Sequence, residues 1–173
     1  PMVILTPFSH GITKRIANED LSSFDYIFCW LGNTDLLVSI IKLIEDKMNL
    51  EHDVSEVGVQ IILLVEDGIR FYSSILPNLY KFVLKQSQEF STEALNAPQR
   101  TLRMRGRPKI VLARTYNEAI GIYEKYKNNI LGVITDVRFP RVERGEKDAL
   151  AGIKLCAAIR KEDPFVPLII QSS

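Results

Sequence analysis

Three acidic side chains stand at the ends of two apolar runs in this sequence. Asp136 directly follows the run at residues 130–135, and Glu66 and Asp67 directly follow the run at residues 59–65. Short apolar runs of this kind indicate buried parallel strands, whose carboxyl ends meet at the sheet edge where ligands of open α/β proteins bind. Clustered carboxylates repel one another unless a hard cation lies among them, and Mg²⁺ takes carboxylate and phosphate oxygens. The pattern therefore predicts a Mg²⁺ site, with Asp136 as the carboxylate that accepts a phosphoryl group.

The elements that must position these acids alternate between strand and helix. From residue 59 the order is β-α-β-α-β-α-β, which predicts an α/β fold with a parallel, doubly wound sheet and right-handed crossovers. Predicted strands lie at residues 59–65, 110–113, 130–135 and 166–171, and predicted helices at 68–93, 116–126 and 151–161. Pro77 is expected to kink or split the first of these helices, because proline lacks the backbone N–H.

The first fifty residues add a second β-α-β-α segment. Its predicted strands lie at 2–5 and 26–30, and its predicted helices at 12–21 and 35–49. The polar, acidic segment 51–58 is the expected linker. Because both ends of the chain are strand-like, we expect an excised segment of a longer protein.

The composition limits the classes of function. The 173 residues are 46% hydrophobic, enough for a buried core, and the net charge of +1 argues against bulk binding to nucleic acid or membrane. Cys29 and Cys156 are too few for a disulfide framework and lack metal-ligand spacing. No run reaches transmembrane length, and the start lacks the shape of a signal peptide. A reduced, cytoplasmic setting is the expectation.

The order and chemistry from residue 59 onward resemble the receiver domain of two-component response regulators. In that family an acidic pair follows the first strand and a phosphoacceptor aspartate ends the third, here Glu66-Asp67 and Asp136. A proline lies four residues beyond the aspartate, and a hydroxyl residue follows the fourth strand, here Pro140 and Ser172. The resemblance implies a flavodoxin-like αβα fold in which the four strands from residue 59 have the sheet order 2-1-3-4. It also implies that the three acids and the backbone carbonyl of Arg138 hold Mg²⁺. It also implies a hydrogen bond from Ser172 to the phosphoryl group.

Residues 1–50 resemble the carboxyl-terminal half of another receiver. The strand at 26–30 ends in Cys29-Trp30 where the family has a lysine, so this half resembles a pseudo-receiver. Residues 59–173 would then be a second receiver, truncated after its fourth strand, whose lysine is expected past Ser173. We hypothesise that residues 1–50 cap the open side at 166–171, which gives either one circularly permuted receiver or an exchanged dimer.

Three further stretches narrow the resemblance to the receiver-like region of bacterial phosphoenolpyruvate synthase/pyruvate phosphate dikinase-like proteins. They lie at residues 62–67, 72–77 and 102–109. The resemblance implies a regulatory module with a histidine kinase or phosphotransfer protein and the parent's other domains as partners, and a homodimer remains open.

The module is not an independent enzyme; at most it phosphorylates and dephosphorylates its own aspartate. The alternative is a degenerate receiver that serves as a protein-interaction scaffold. An independent phosphatase fits poorly, because Arg138 stands where a second acid is needed.

Plainer interpretations accompany these features. Asp67 precedes a predicted helix, so a helix-capping role is open for it. A basic run could contact nucleic acid or a phosphorylated partner, but no aromatic residues are interleaved with it. It is expected instead to be a solvated loop, or a loop that faces an acidic patch of the parent enzyme. The run comprises Arg100, Arg103, Arg105, Arg107 and Lys109. A charged group on the helix at 35–49 is expected to face solvent, namely Lys42, Glu45, Asp46 and Lys47.

Overall fold

The computed structural model describes residues 1–7, 23–92 and 106–172. The strands are β1 Val3–Pro7, β2 Tyr26–Trp30, β3 Ile61–Val65, β4 Lys109–Ala113, β5 Ile130–Asp136, β6 Phe139–Pro140, β7 Lys147–Asp148 and β8 Leu168–Gln171. The helices are α1 Asp35–Val57, α2 Ile69–Thr92, α3 Tyr116–Tyr126 and α4 Ala151–Glu162, with a 3₁₀ turn at Lys127–Asn129. The predicted helix at 12–21 and most of the basic run lie outside the described residues.

Four of the strands form one parallel sheet in the order β4-β3-β5-β8. Val65 on β3 pairs with Ala113 on one side and with Thr135 on the other, and Asp136 pairs with Gln171 of β8. The chain thus passes from β3 to one neighbour and then crosses to the opposite side of β3. This confirms the predicted strand order from residue 59.

Helices cover both faces of the sheet. Alternate strand residues such as Leu64 and Leu112 pack with side chains of α1 and α2. Their neighbours, such as Leu63 and Val133, pack on the other face against α3 and α4. Because each strand is apolar on both faces, its residues form continuous hydrophobic runs rather than an alternating pattern. The chain is therefore a mixed α/β protein with parallel strands and helices on both sides.

Strands β1 and β2 form a separate two-stranded parallel sheet and do not extend the main one. This small sheet is fixed to α2, where the Cys29 N–H donates to Ser73 Oγ at 2.9 Å and the Tyr72 hydroxyl donates to the Ile27 carbonyl. Among the described residues no second strand pairs with β8. The hypothesis that residues 1–50 cap the open side next to β8 within one chain is therefore wrong, because hydrogen bonds to α2 hold β2 elsewhere.

The acidic segment 51–58, which was predicted as a linker, forms the last part of α1 and its glycine cap. Val54 packs against the buried Leu50, and the Asp53 carboxylate meets Lys109 Nζ at 2.7 Å. Gly58 ends the helix with a φ of 69°, in the left-handed region that glycine adopts at helix ends. The segment is helical because partners distant in sequence bind its apolar and acidic side chains.

A buried ionic network joins α1 to the start of β4. Asp46 is fully buried, and it accepts hydrogen bonds from Arg107 Nη2 at 2.6 Å, from the Tyr80 hydroxyl at 2.9 Å and from the Ile110 N–H at 3.0 Å. The predictions that Asp46 is solvated and that Arg107 and Lys109 belong to a solvated loop are wrong. Each charge finds its counter-charge inside the protein, which makes burial of the group acceptable.

Helix α2 continues through Pro77, so of the two predicted outcomes, a kink or a split, the split is wrong. Tyr72, Leu76, Tyr80 and Val83 recur at helical spacing and are buried in one core. Burial of this stripe outweighs the one backbone hydrogen bond that proline removes. None of the helices in the described part of the chain is long and apolar enough to span a membrane.

Candidate metal and phosphoryl site

The carboxyl ends of β3 and β5 place three acids at one point. Glu66 and Asp67 follow β3 directly, and Asp136 is the last residue of the neighbouring strand β5. One carboxylate oxygen from each residue lies within 4.8 Å of the others. The chain reverses its direction of winding between these two strands, and crevices of this kind bind ligands in open α/β sheets. The predicted meeting of the three acids is confirmed.

The cluster lies mostly inside the protein. Glu66 is 1% exposed and Asp136 is 4% exposed, whereas the Asp67 side chain is 15% exposed. Buried carboxylates normally have hydrogen-bond donors or counter-ions, because their desolvation is costly. Three such groups together therefore need positive charge or protons.

Two carboxylate oxygens of the cluster have no donor. Glu66 Oε1 accepts a hydrogen bond from the Gly68 N–H at 2.8 Å, and Asp67 Oδ2 lies 2.6 Å from Lys147 Nζ. The second oxygen of each residue, Glu66 Oε2 and Asp67 Oδ1, is buried without a hydrogen-bond partner. Oxygens fixed in this way suit a hard divalent cation, which binds carboxylates at its oxygen ligand positions.

Burial raises the pKa of Glu66 from its ordinary value of 4.5 to about 7. The Gly68 N–H lowers this pKa, and repulsion by Asp136 and Asp67 raises it, whereas Lys147 lowers it. The cluster therefore holds a proton on Glu66 at acid pH and releases it near neutrality. A cation that binds there competes with this proton.

The backbone around Asp136 is tightly packed against α4. The Gly152 N–H donates to the Val137 carbonyl at 3.0 Å, and a Cβ at Gly152 would lie 2.0 Å from the Asp136 carbonyl oxygen. Only glycine fits at this contact, so α4 begins directly against the end of β5. This contact therefore fixes the position of the Asp136 backbone, from which the carboxylate extends.

The other predicted site residues lie at the same edge of the sheet. Ser172 follows β8 directly, one residue beyond the pairing of Asp136 with Gln171, and it is exposed. Arg138 lies between β5 and β6 and is also exposed, while Pro140 is buried in β6. The roles of the Arg138 carbonyl and the Ser172 hydroxyl stay predictions.

Two residues of the site were not predicted from the sequence. Lys147 lies between the predicted strand at 130–135 and the predicted helix at 151–161, where β6 and β7 form a short antiparallel hairpin. No periodic pattern marks a hairpin of two-residue strands, so the sequence gives no signal for this lysine. Gly152 was placed in a helix, and its contact with Asp136 depends on tertiary packing alone.

Comparison with protein-family models, curated proteins and solved structures gives no match to this chain. The functional argument therefore rests on the geometry of the acid cluster.

Proposed function

We propose that the chain is a receiver-like regulatory module with a flavodoxin-like, doubly wound fold. In this proposal Mg²⁺ binds among Glu66, Asp67 and Asp136, and Asp136 accepts a phosphoryl group. The carrying observation is the convergence of three carboxylates within 4.8 Å, two of them with a buried oxygen that has no donor. The location at the winding reversal of a parallel sheet also supports a ligand site.

In the proposed reaction an Asp136 carboxylate oxygen attacks the phosphorus of a phosphohistidine or a small acyl phosphate in line. A new P–O bond forms, and the bond from phosphorus to the donor's leaving atom breaks. The leaving atom keeps the electron pair: a histidine nitrogen then takes up a proton from solvent, whereas an acyl oxygen leaves as a carboxylate. When bound, Mg²⁺ would neutralise charge on the phosphoryl oxygens.

The chain's own residues hold the reacting carboxylate and its neighbours. Gly152 and the end of β5 fix the backbone of Asp136, and Gly68 fixes one oxygen of Glu66. In the proposal the Arg138 carbonyl is a further cation ligand, and the Ser172 hydroxyl donates to a phosphoryl oxygen. The partners would be a histidine kinase or phosphotransfer protein and other domains of a parent protein, in the cytoplasm.

The second candidate is a degenerate receiver that binds other proteins and takes no phosphate, within a phosphoenolpyruvate synthase-like protein. Two features favour it, because each reduces the charge of the cluster without a metal. Lys147 forms an ion pair with Asp67, and the pKa of Glu66 is about 7, so this residue is partly protonated near neutral pH. A cluster neutralised in this way can be stable with no switching function.

Incubation with acetyl phosphate and Mg²⁺ separates the two candidates. We expect intact mass spectrometry to show one added phosphoryl group on the wild-type chain and none on Asp136→Asn. The matched control Asp35→Asn removes an exposed carboxylate at the start of α1 and should label like the wild type. Wild-type protein that stays unlabelled, while calorimetry shows that it binds Mg²⁺, would refute phosphoryl transfer and favour the scaffold.

A further inference from the structure

The β6–β7 hairpin brings a positive charge to the acid cluster. Lys147 Nζ lies 2.6 Å from Asp67 Oδ2, and the lysine side chain is 44% exposed whereas the aspartate side chain is 15% exposed. The lysine therefore reaches inward from the surface, with part of its length still in solvent. Asp67 in turn lies within 4.8 Å of Asp136, measured between their ligand oxygens, so Lys147 stands one carboxylate away from the proposed phosphoacceptor.

The backbone that carries this lysine is well anchored. Lys147 pairs with Pro140 across the hairpin, and the neighbouring Phe139 is fully buried. The next residue, Asp148, accepts a hydrogen bond from the Leu150 N–H at 3.0 Å. The hairpin therefore holds the Lys147 backbone beside the sheet edge while its four-carbon stem stays free to redirect the ammonium group.

The charges of the site do not balance without Lys147. Three ionised carboxylates carry three negative charges, and a divalent cation neutralises two of them. The remaining negative charge would repel an incoming phosphoryl group, whose own oxygens are anionic. The positive charge of Lys147 brings the site to neutrality before the anion arrives.

Resting on the function proposed above, we propose that Lys147 receives the anionic ligand of this site by donating to a phosphoryl oxygen on Asp136. Only one of the three ammonium N–H groups is needed for Asp67 Oδ2, so the others remain for the anion. The buried Asp67 Oδ1, which has no partner, then remains for the cation. The ligand class is a compact phosphoryl group or its mimic, bound together with a divalent cation.

Amide NMR titrations of the full chain with Mg²⁺ alone, and then with beryllofluoride in saturating Mg²⁺, test this role. We expect Lys147→Met to bind Mg²⁺ at least as tightly as the wild type, because a repelling positive charge is gone. Beryllofluoride should bind the variant about 10- to 100-fold more weakly, the effect of losing one charge-assisted hydrogen bond. Lys147→Arg should restore most of the affinity.

Two further variants guard against misinterpretation. Lys154→Met removes the lysine that pairs with Asp148 at 2.5 Å and should leave both titrations unchanged. Lys147→Gln keeps a polar side chain without the charge. It should show the same two affinities that are expected of Lys147→Met, and it replaces that variant if the methionine variant folds poorly.

The outcomes separate this inference from the proposed function. If the wild-type protein does not bind beryllofluoride in saturating Mg²⁺, both the proposed function and the role of Lys147 are refuted. Wild-type binding that persists undiminished in Lys147→Met and Lys147→Gln refutes the role of the lysine alone. Equal losses of Mg²⁺ and beryllofluoride affinity in both variants also refute it, because they show that Lys147 only holds Asp67 in place.

Discussion

Replacing Glu66 with glutamine should stabilise the metal-free protein at alkaline pH and not at acid pH. Glu66 is 1% exposed, and it faces Asp67, Asp136 and Lys147. The amide oxygen of glutamine can still accept the Gly68 N–H, and its NH₂ group replaces the oxygen that has no donor. The substitution therefore removes a buried negative charge while it keeps the shape of the side chain.

The size and sign of the effect follow from the pKa of Glu66. Between pH 4.5 and about 7 the folded protein keeps a proton on Glu66 that the unfolded chain has released. The contribution of Glu66 to the free energy of unfolding therefore falls as pH rises across this window, and it is constant above it. A pKa difference of this size corresponds to about 3 kcal/mol. We expect Glu66→Gln to be about 2–3 kcal/mol more stable than the wild type at pH 8, and equal to it near pH 4.

Urea denaturation in EDTA at a series of pH values measures this difference directly. Glu124→Gln removes an exposed carboxylate of α3 and should show no such pH dependence. A parallel series in Mg²⁺ should stabilise the wild type at pH 8, because the cation binds only the folded chain. It should stabilise Glu66→Gln much less, since one of the three carboxylates is gone.

Two results would contradict this reasoning. The first is a glutamine variant that is no more stable than the wild type at pH 8 in EDTA. The second is a stability difference that stays constant from pH 4 to pH 8. Either one would mean that burial does not hold a proton on Glu66 in the folded protein.

Three other substitutions test the packing around the site and the core, each by urea denaturation. Gly152→Ala should cost about 3 kcal/mol and weaken Mg²⁺ binding, because the new Cβ would lie 2.0 Å from the Asp136 carbonyl oxygen. Asp46→Asn should cost about 3–5 kcal/mol, since it removes the buried counter-charge of the Arg107 guanidinium. Ser73→Ala should cost about 1–3 kcal/mol, because the buried Cys29 N–H loses its acceptor.

Each of these three substitutions has a control of the same type in an open environment. A Cβ at Gly121 of α3 meets no atom within 4 Å, so Gly121→Ala should be neutral or slightly stabilising. Asp35→Asn and Ser74→Ala change exposed residues and should cost well under 1 kcal/mol. A loss no larger than that of its control would contradict the contact assigned to Gly152, Asp46 or Ser73.

The main sheet was predictable from the sequence because its strands are apolar on both faces. Strands β3 and β5 could each be located from a hydrophobic run and the acidic residue at its end. The helical segment 51–58 was missed because its acidic residues look solvated until Asp53 meets Lys109 in three dimensions. Asp46 was missed for the same reason, since a charge next to exposed charges on a helix gives no sign that Arg107 will cover it.

The candidate site divides in the same way. Glu66, Asp67 and Asp136 were placed together because adjacent parallel strands end at one edge of a sheet. The position of Lys147 depends on a hairpin of two-residue strands, whose formation follows from tertiary packing of Phe139 rather than from a local pattern.

The attachment of β2 to the beginning of α2 has a practical consequence. The same helix begins just after Asp67 and holds Cys29 through Ser73, and the next residue of β2 is Trp30, the chain's single tryptophan. The indole packs against the core that contains Tyr72. Intrinsic fluorescence is thus a label-free optical probe of the core that holds the beginning of α2, and it needs no engineered reporter.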